Sequence, residues 1–222
     1  MFYEPRLRNH GLKHDPFKAL VVPRPIGWIG TVDAQGRPNL APYSFFNGVS
    51  DRPPMVYFSS AGHKDSLRNA QATGGFTCSL ATSALRDPMN MSSAAVTSEV
   101  DEFELAGLTQ RPSRLIKAPS VAQSPAAFEC QYWKTIELPG DPKRPELTFS
   151  MVLGIVVGVH VDEAFIRDGR VDTAAMLPLS RLGYMDYSVF GPNEVFSLNR
   201  PTVDEDGRTA RVDDKPWDGV YR

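Results

Sequence analysis

The stretch "SSAGHKDS", Ser59 to Ser66, puts two adjacent hydroxyls, a glycine, a lysine and a third hydroxyl at the entry to a helical pattern. A helix start has free N–H groups and a partial positive charge, so it attracts a phosphate, and hydroxyls and an ammonium complete such a site. Ser59, Ser60, Lys64 and Ser66 are therefore candidate phosphate ligands. The same residues would also serve as a plain helix cap with a solvated lysine. Asp65 speaks against the anion reading unless its carboxylate points away.

A second group lies one strand upstream, in "APYSFFNGVSDRPPMVYFSS". Ser44, Phe45, Phe46 and Asn47 offer ring faces for stacking and polar groups for the edge of a heterocycle. The competing reading makes the two phenylalanines core, one ring on each side of a strand. Trp28 and Thr31 precede this patch on another strand, where their odd separation puts them on opposite faces. Asn39 reads as a turn residue. An aromatic, hydrogen-bonding patch followed by an anion-binding helix start is the layout that a phosphorylated flavin requires.

Other chemistry has little support. Cys78 and Cys130 fall in separate strand-like runs, so two buried thiols are expected rather than a redox pair. His10 and His14 are four apart, too few ligands for a zinc site, and no metal is expected. Neither a GxGxxG nor a Walker sequence occurs. No catalytic triad or carboxylate pair is evident, so no residue is assigned a proton-transfer role.

The elements that must position these groups read as follows. "IGWIGTVDAQGRPNLAPYSFF" is a hairpin turning at Gly36, and "PPMVYFSS" a third strand behind a proline pair. "HKDSLRNAQATGG" is a short helix stopped at Gly74 or Gly75, and "GFTCSLA" returns as a strand. Two helical stretches follow, around "TSALRDPMNMSSA" and "SEVDEFELAGL", with Pro88 interrupting. "AAFECQYWKTIEL" alternates as a strand. The β-branched run "LTFSMVLGIVVGVHV" suits a strand buried on both faces or one crossing a subunit interface. "AFIRDGRVD" is a tight turn, "TAAMLPLSRLGYMDYSVFG" mixes loop and helix, and the chain from Asn199 is polar. Six or so strands with short helices predict a mainly β fold with helical inserts, a small barrel in one domain over residues 1–222.

Composition agrees. The 222 residues include 41% hydrophobic and 23% charged residues, enough for an ordinary core. A net charge of −2 with scattered signs argues against nucleic acid as a partner. No apolar run reaches membrane-spanning length and the N-terminal stretch has no signal core, so a cytoplasmic protein is expected.

The blocks "RPIGWIGTVDAQGRPNLAPYSFFNGVSDRPPMVYFSS", "KDSLRNAQATGGFTCSLA", "GIVVGVHVDEAFIRDGRVD" and "LSRLGYMDY" together resemble the flavin reductase-like, FMN-binding split β-barrel proteins, from about Pro23 to Tyr187. The resemblance implies a homodimer of split barrels with FMN in a groove near the subunit interface. It implies that Trp28, Thr31, Ser44, Phe45, Phe46 and Asn47 surround the isoalloxazine, and that Ser59, Ser60, Lys64 and Ser66 hold the ribityl-phosphate. Arg181, Gly183 and Tyr184 would close the pocket; for Arg181 the plain alternative is a surface ion pair. The implied activity is hydride transfer from NADH or NADPH to flavin, with reduced FMN serving a partner oxygenase or another acceptor. The alternatives are an FMN-holding electron carrier that does not oxidise NAD(P)H and a structural barrel without a ligand. The insertion "LPGDPKRPE" (loop 139–146) and the polar tail depart from the shortest family members and are placed to shape substrate access.

Overall fold

The computed structural model describes residues 1–212, 217 and 219; the rest of the polar tail, 213–216, 218 and 220–222, lies outside the described residues. The chain enters through a short helix, α1 (Phe17–Leu20), and a two-residue strand, β1 (Arg24–Pro25). The expected hairpin follows as β2 (Gly27–Val32) and β3 (Pro38–Tyr43), turning at Gly36 with φ +84°. Then come β4 (Phe46–Asp51) and β5 (Pro54–Ala61). Helix α2 (Asp65–Thr73) is closed by Gly74 in the left-handed region, φ +77°.

Strand β6 (Gly75–Leu80) leads to α3 (Arg86–Met91) and α4 (Glu102–Leu105). Pro88 sits in the first turn of α3, where its missing N–H costs nothing, and so does not interrupt the helix. The short pair β7 (Gln110–Arg111) and β8 (Ser120–Val121) precedes two long strands, β9 (Ala126–Leu138) and β10 (Phe149–Val161). The "AFIRDGRVD" turn is a hairpin of β11 (Ile166–Arg167) and β12 (Arg170–Val171). The segment expected as loop and helix has one 3₁₀ turn (Ala174–Met176) and also forms β13 (Leu179–Arg181) and β14 (Tyr187–Val189), which join β1 in a three-stranded sheet. A last hairpin, β15 (Thr202–Val203) with β16 (Ala210–Arg211), lies in the tail.

The main sheet has seven strands in the order β3-β2-β6-β9-β10-β5-β4. Every pairing in it is antiparallel. Strand β2 is buried on both faces, and its alternation feeds two cores. Ile29 joins Tyr43, Phe58, Leu67, Phe76 and Val152 under α2. Trp28 joins Leu40, Met89, Phe103 and Val121 under α3 and α4. Strand β10, expected either to be buried on both faces or to cross a subunit interface, is buried within the chain only at Val152, Leu153 and Gly154; its second half is partly exposed, with Val159 at 61%. Cys78 and Cys130 are both buried and free, and burial pushes the Cys78 thiol up to about 12.

Candidate flavin site

A cavity of about 890 Å³ opens where β3, the end of β5 and the start of α2 meet the N-terminal segment. That volume is within the range of small-molecule sites. Ser44, Phe45 and Ser59 form one wall, and Lys64, Asp65 and Ser66 the start of α2. Lys64 is the N-cap residue of α2, and no side chain caps the helix. Ser60, the expected cap, turns away and donates to the Gly62 carbonyl at 2.9 Å. Asp65 is held aside by Arg68 at 2.6 Å, one turn along α2. The helix start therefore presents free N–H groups, an ammonium and a hydroxyl, with the Asp65 carboxylate paired to Arg68.

A buried polar network fixes this corner. Asn39, on β3, donates to Thr31 Oγ1 at 3.1 Å and to Ser66 Oγ at 3.0 Å. Asn69 of α2 donates to the same Thr31 oxygen at 3.3 Å. Three elements are thus tied at the point where Ser66 faces the cavity, and Asn39 itself lines it. Asn39 is a buried strand residue, not the turn residue expected; its amide bridges two elements that are distant in sequence. Glu102, on α4, accepts from the Leu40 N–H at 3.0 Å and also faces the cavity. Burial pushes its carboxyl up, against the pull of that hydrogen bond.

The opposite lining brings two arginines together. Arg24 and Arg181 are direct partners in the β1–β13 ladder, and both line the cavity. Arg24 is 6% exposed and donates to the carbonyls of Lys18, Val21 and Leu182 at 2.6, 2.6 and 2.8 Å. Its guanidinium lies 5.8 Å from the centroid of the Phe45 ring, and its buried Nε has no partner. Burial first, then the neighbouring Arg181, pull the Arg24 guanidinium below its ordinary range. Arg181 donates to the Tyr187 hydroxyl at 2.5 Å and to the Tyr184 carbonyl, and lies 4.6 Å over the Tyr187 ring. It makes no surface ion pair among the described residues.

Of the residues singled out by sequence, Ser44, Phe45, Ser59, Lys64, Ser66, Arg181 and Tyr184 line the cavity. The others stand behind or beside it. Trp28 is fully buried and donates to Ser92 Oγ at 2.9 Å, so it acts on the cavity only through Ser92. Thr31 is fully buried and reaches it through Asn39. Phe46 turns into the core beside Gly27, where an added Cβ would meet its ring at 2.5 Å, so the two phenylalanines do split across the chain. Asn47 is exposed on the edge strand β4, its side chain accepting from the Gly48 N–H. Ser60 is buried on the inner face of β5. Gly183 packs on α1, and a Cβ there would meet the Cβ of Ala19 at 2.6 Å and its Cα at 2.8 Å. Sequence reasoning missed Arg24, Asn39, Glu102 and the Ser92–Val96 loop. Only Arg24 left a trace in the sequence, as an arginine before a proline at the mouth of an apolar strand.

The chain matches the flavin reductase like domain over residues 19–179, and it belongs to that family. An uncharacterized protein of Halalkalibacterium halodurans is 35% identical over 190 residues, 83% of this chain and 89% of its own. Among solved structures, nitrilotriacetate monooxygenase component B from Bacillus cereus is 31% identical. It superposes with a TM-score of 0.79 over 89% of this chain and 98% of its own. The 2-nitrobenzoate 2-nitroreductase of Pseudomonas fluorescens is 28% identical, with a TM-score of 0.73 over 84% of this chain and 89% of its own. The fold is the split barrel of this family, and a flavin-related redox role follows from the membership.

Proposed function

We propose that this chain binds FMN in the cavity and passes hydride from NADH or NADPH to flavin, as a flavin reductase. The observation that carries the reading is the uncapped start of α2, with Lys64 and Ser66, opening into the same cavity as Ser44, Phe45 and Ser59. These residues fit the group. The free N–H groups, the ammonium and the hydroxyls suit a phosphate, and the Phe45 side suits a flat ring.

Bound FMN would supply the hydride chemistry, which needs no protein acid or base. The chain's own residues bind and orient. Lys64 and Ser66 anchor the phosphate, Asn39, itself bonded to Thr31, holds Ser66 in place, and Arg24 and Tyr184 line the opposite side.

A homodimer and a partner oxygenase complete the proposal. The exposed apolar residues of the two long strands favour the first, and the component B neighbour favours the second. The alternative, an electron carrier that holds FMN without oxidising NAD(P)H, is separated by one experiment. On anaerobic addition of NADH or NADPH to the FMN-loaded protein, a reductase bleaches the flavin absorption within the mixing period of a turnover assay. A spectrum unchanged by both nucleotides contradicts the reductase reading and leaves the carrier.

A further inference from the structure

Arg24 and Arg181 are a like-charged pair placed face to face in a strand ladder, an arrangement that repels rather than stabilises. Their hydrogen bonds go to carbonyls, a tyrosine hydroxyl and a thioether, all neutral groups. The carboxylates that share the cavity are engaged elsewhere. Asp65 pairs with Arg68, Glu102 accepts from Leu40, and Asp15 accepts from the Phe17 N–H at 2.9 Å. Two cations, one of them 6% exposed, thus face the cavity without an ion pair of their own among the described residues, although Asp15, Asp65 and Glu102 also line it. A buried guanidinium without a carboxylate partner is costly, and an oxyanion bound directly to the pair would relieve the cost.

The α2 start supplies a separate cationic corner, Lys64 with Ser66, on different elements of the chain. One phosphorylated flavin occupies one such corner. We propose that Arg24 and Arg181 bind an oxyanion, carboxylate or phosphate, carried by the second substrate that meets the flavin in this cavity. Arg24 is fixed by three carbonyls and the Phe45 ring and supplies a preset charge. Arg181, the more exposed of the two, supplies the adjustable donors. The assignment to a second substrate rests on the flavin reading; the oxyanion site itself does not.

The test is thermal unfolding of the full flavin-free chain at fixed ionic strength, with benzoate, its neutral isostere benzamide, or pyrophosphate added. At ten times its dissociation constant a bound oxyanion should raise the midpoint by about 2–6 °C. Benzamide should raise it by less than a degree or so, about the size of a non-specific effect. In Arg181→Gln the oxyanion affinity should fall about tenfold or more. Arg24→Lys, which keeps the charge but loses the planar fork, serves as a second variant if Arg181→Gln folds poorly. A shift with benzoate assigns an acidic small-molecule acceptor, and one with pyrophosphate assigns the bridge of a dinucleotide donor. No shift with either anion, or a shift undiminished in both variants, overturns the site. FMN and riboflavin run on the same samples. If Arg181→Gln weakens FMN selectively, the pair holds the flavin's own phosphate and the proposal fails. If FMN never stabilises the chain while an oxyanion does, the flavin reading fails and the oxyanion site stands.

Discussion

Two buried glutamates show how environment sets the behaviour of one side chain in two opposite ways. Glu129, 1% exposed on β9, accepts from the backbone N–H groups of Arg114 and Leu115 at 2.8 and 2.7 Å and is bonded to His160 Nε2 at 2.6 Å. Burial alone would raise its carboxyl, but these three bonds hold it below the usual carboxylate range. Such a group contributes stability above its unfolded value of about 4.3, and the contribution is lost as pH falls through the lower folded value. Glu129→Gln places an N–H₂ among three donors and should cost about 1–3 kcal/mol at pH 7. Glu102 is pushed the other way, mainly by burial. Its charged form is a cost that sets in as pH rises through about 4.3, so Glu102→Gln should melt at or above the wild type at pH 7. Melting both variants from pH 3 to 8 checks this: Glu129→Gln should melt below the wild type at pH 7 and Glu102→Gln should not, the Glu102 difference closing as pH falls to about 4.3 and the Glu129 difference closing only below it. Neither role was legible in the sequence, since Glu129 meets the 114–115 loop and Glu102 meets β3 only after the chain has folded. Lys64, Ser66 and Phe45 could be placed because their neighbours in space are also neighbours in sequence.

At the scale of elements, α2 and the β2–β3 hairpin were readable because local periodicity and a glycine at each turn specify them. Strand β4 was not. Its residues 47–51 are all exposed at the sheet edge, so no alternation of apolar and polar residues marks it. Strands β13 and β14 are three residues each; β14 pairs only with β13, and β13 is completed by β1, which lies about 150 residues earlier and is invisible to a local pattern. The same pairing brings the 182–186 loop against α1, and the contact requires Gly183. Gly183→Ala would press a methyl on the Ala19 backbone and should cost about 1–3 kcal/mol, felt first by the N-terminal segment. Limited proteolysis should cut the variant faster than the wild type between residues 1 and 20. Equal rates, with an unchanged melting midpoint, would show that the loop and α1 yield without cost.

Over the whole molecule, the cavity is assembled from segments spread between Asp15 and Tyr184, which is why sequence alone supplied the smaller part of its wall. The N-terminal segment contributes Lys18 and the carbonyls that clamp Arg24, and His14 lies 5.7 Å from the Tyr184 ring at the rim. The 139–146 insertion reaches the same segment, with Lys143 donating to the Arg6 carbonyl at 3.3 Å. On the long strands, Trp133 is 54% and Val159 61% exposed, and Val49 on the edge strand is 51% exposed. In the proposed homodimer these residues would be covered by the second chain. Size-exclusion chromatography with light scattering should give the mass of two chains. The mass of one chain, with FMN bound, would show that the site is complete without a partner.

The central claim is that the start of α2 holds the phosphate of FMN. It is tested most directly by the dissociation constants of FMN and riboflavin, measured by fluorescence on wild type and Lys64→Ala at one salt concentration. Loss of one charge-assisted contact, about 1.5–3 kcal/mol, should weaken FMN about ten- to hundred-fold. Riboflavin shares the ring but lacks the phosphate, and its affinity should stay within about twofold, a few tenths of a kcal/mol. Equal losses for the two ligands, or no saturable binding of FMN to the wild type at micromolar concentration, would contradict the account.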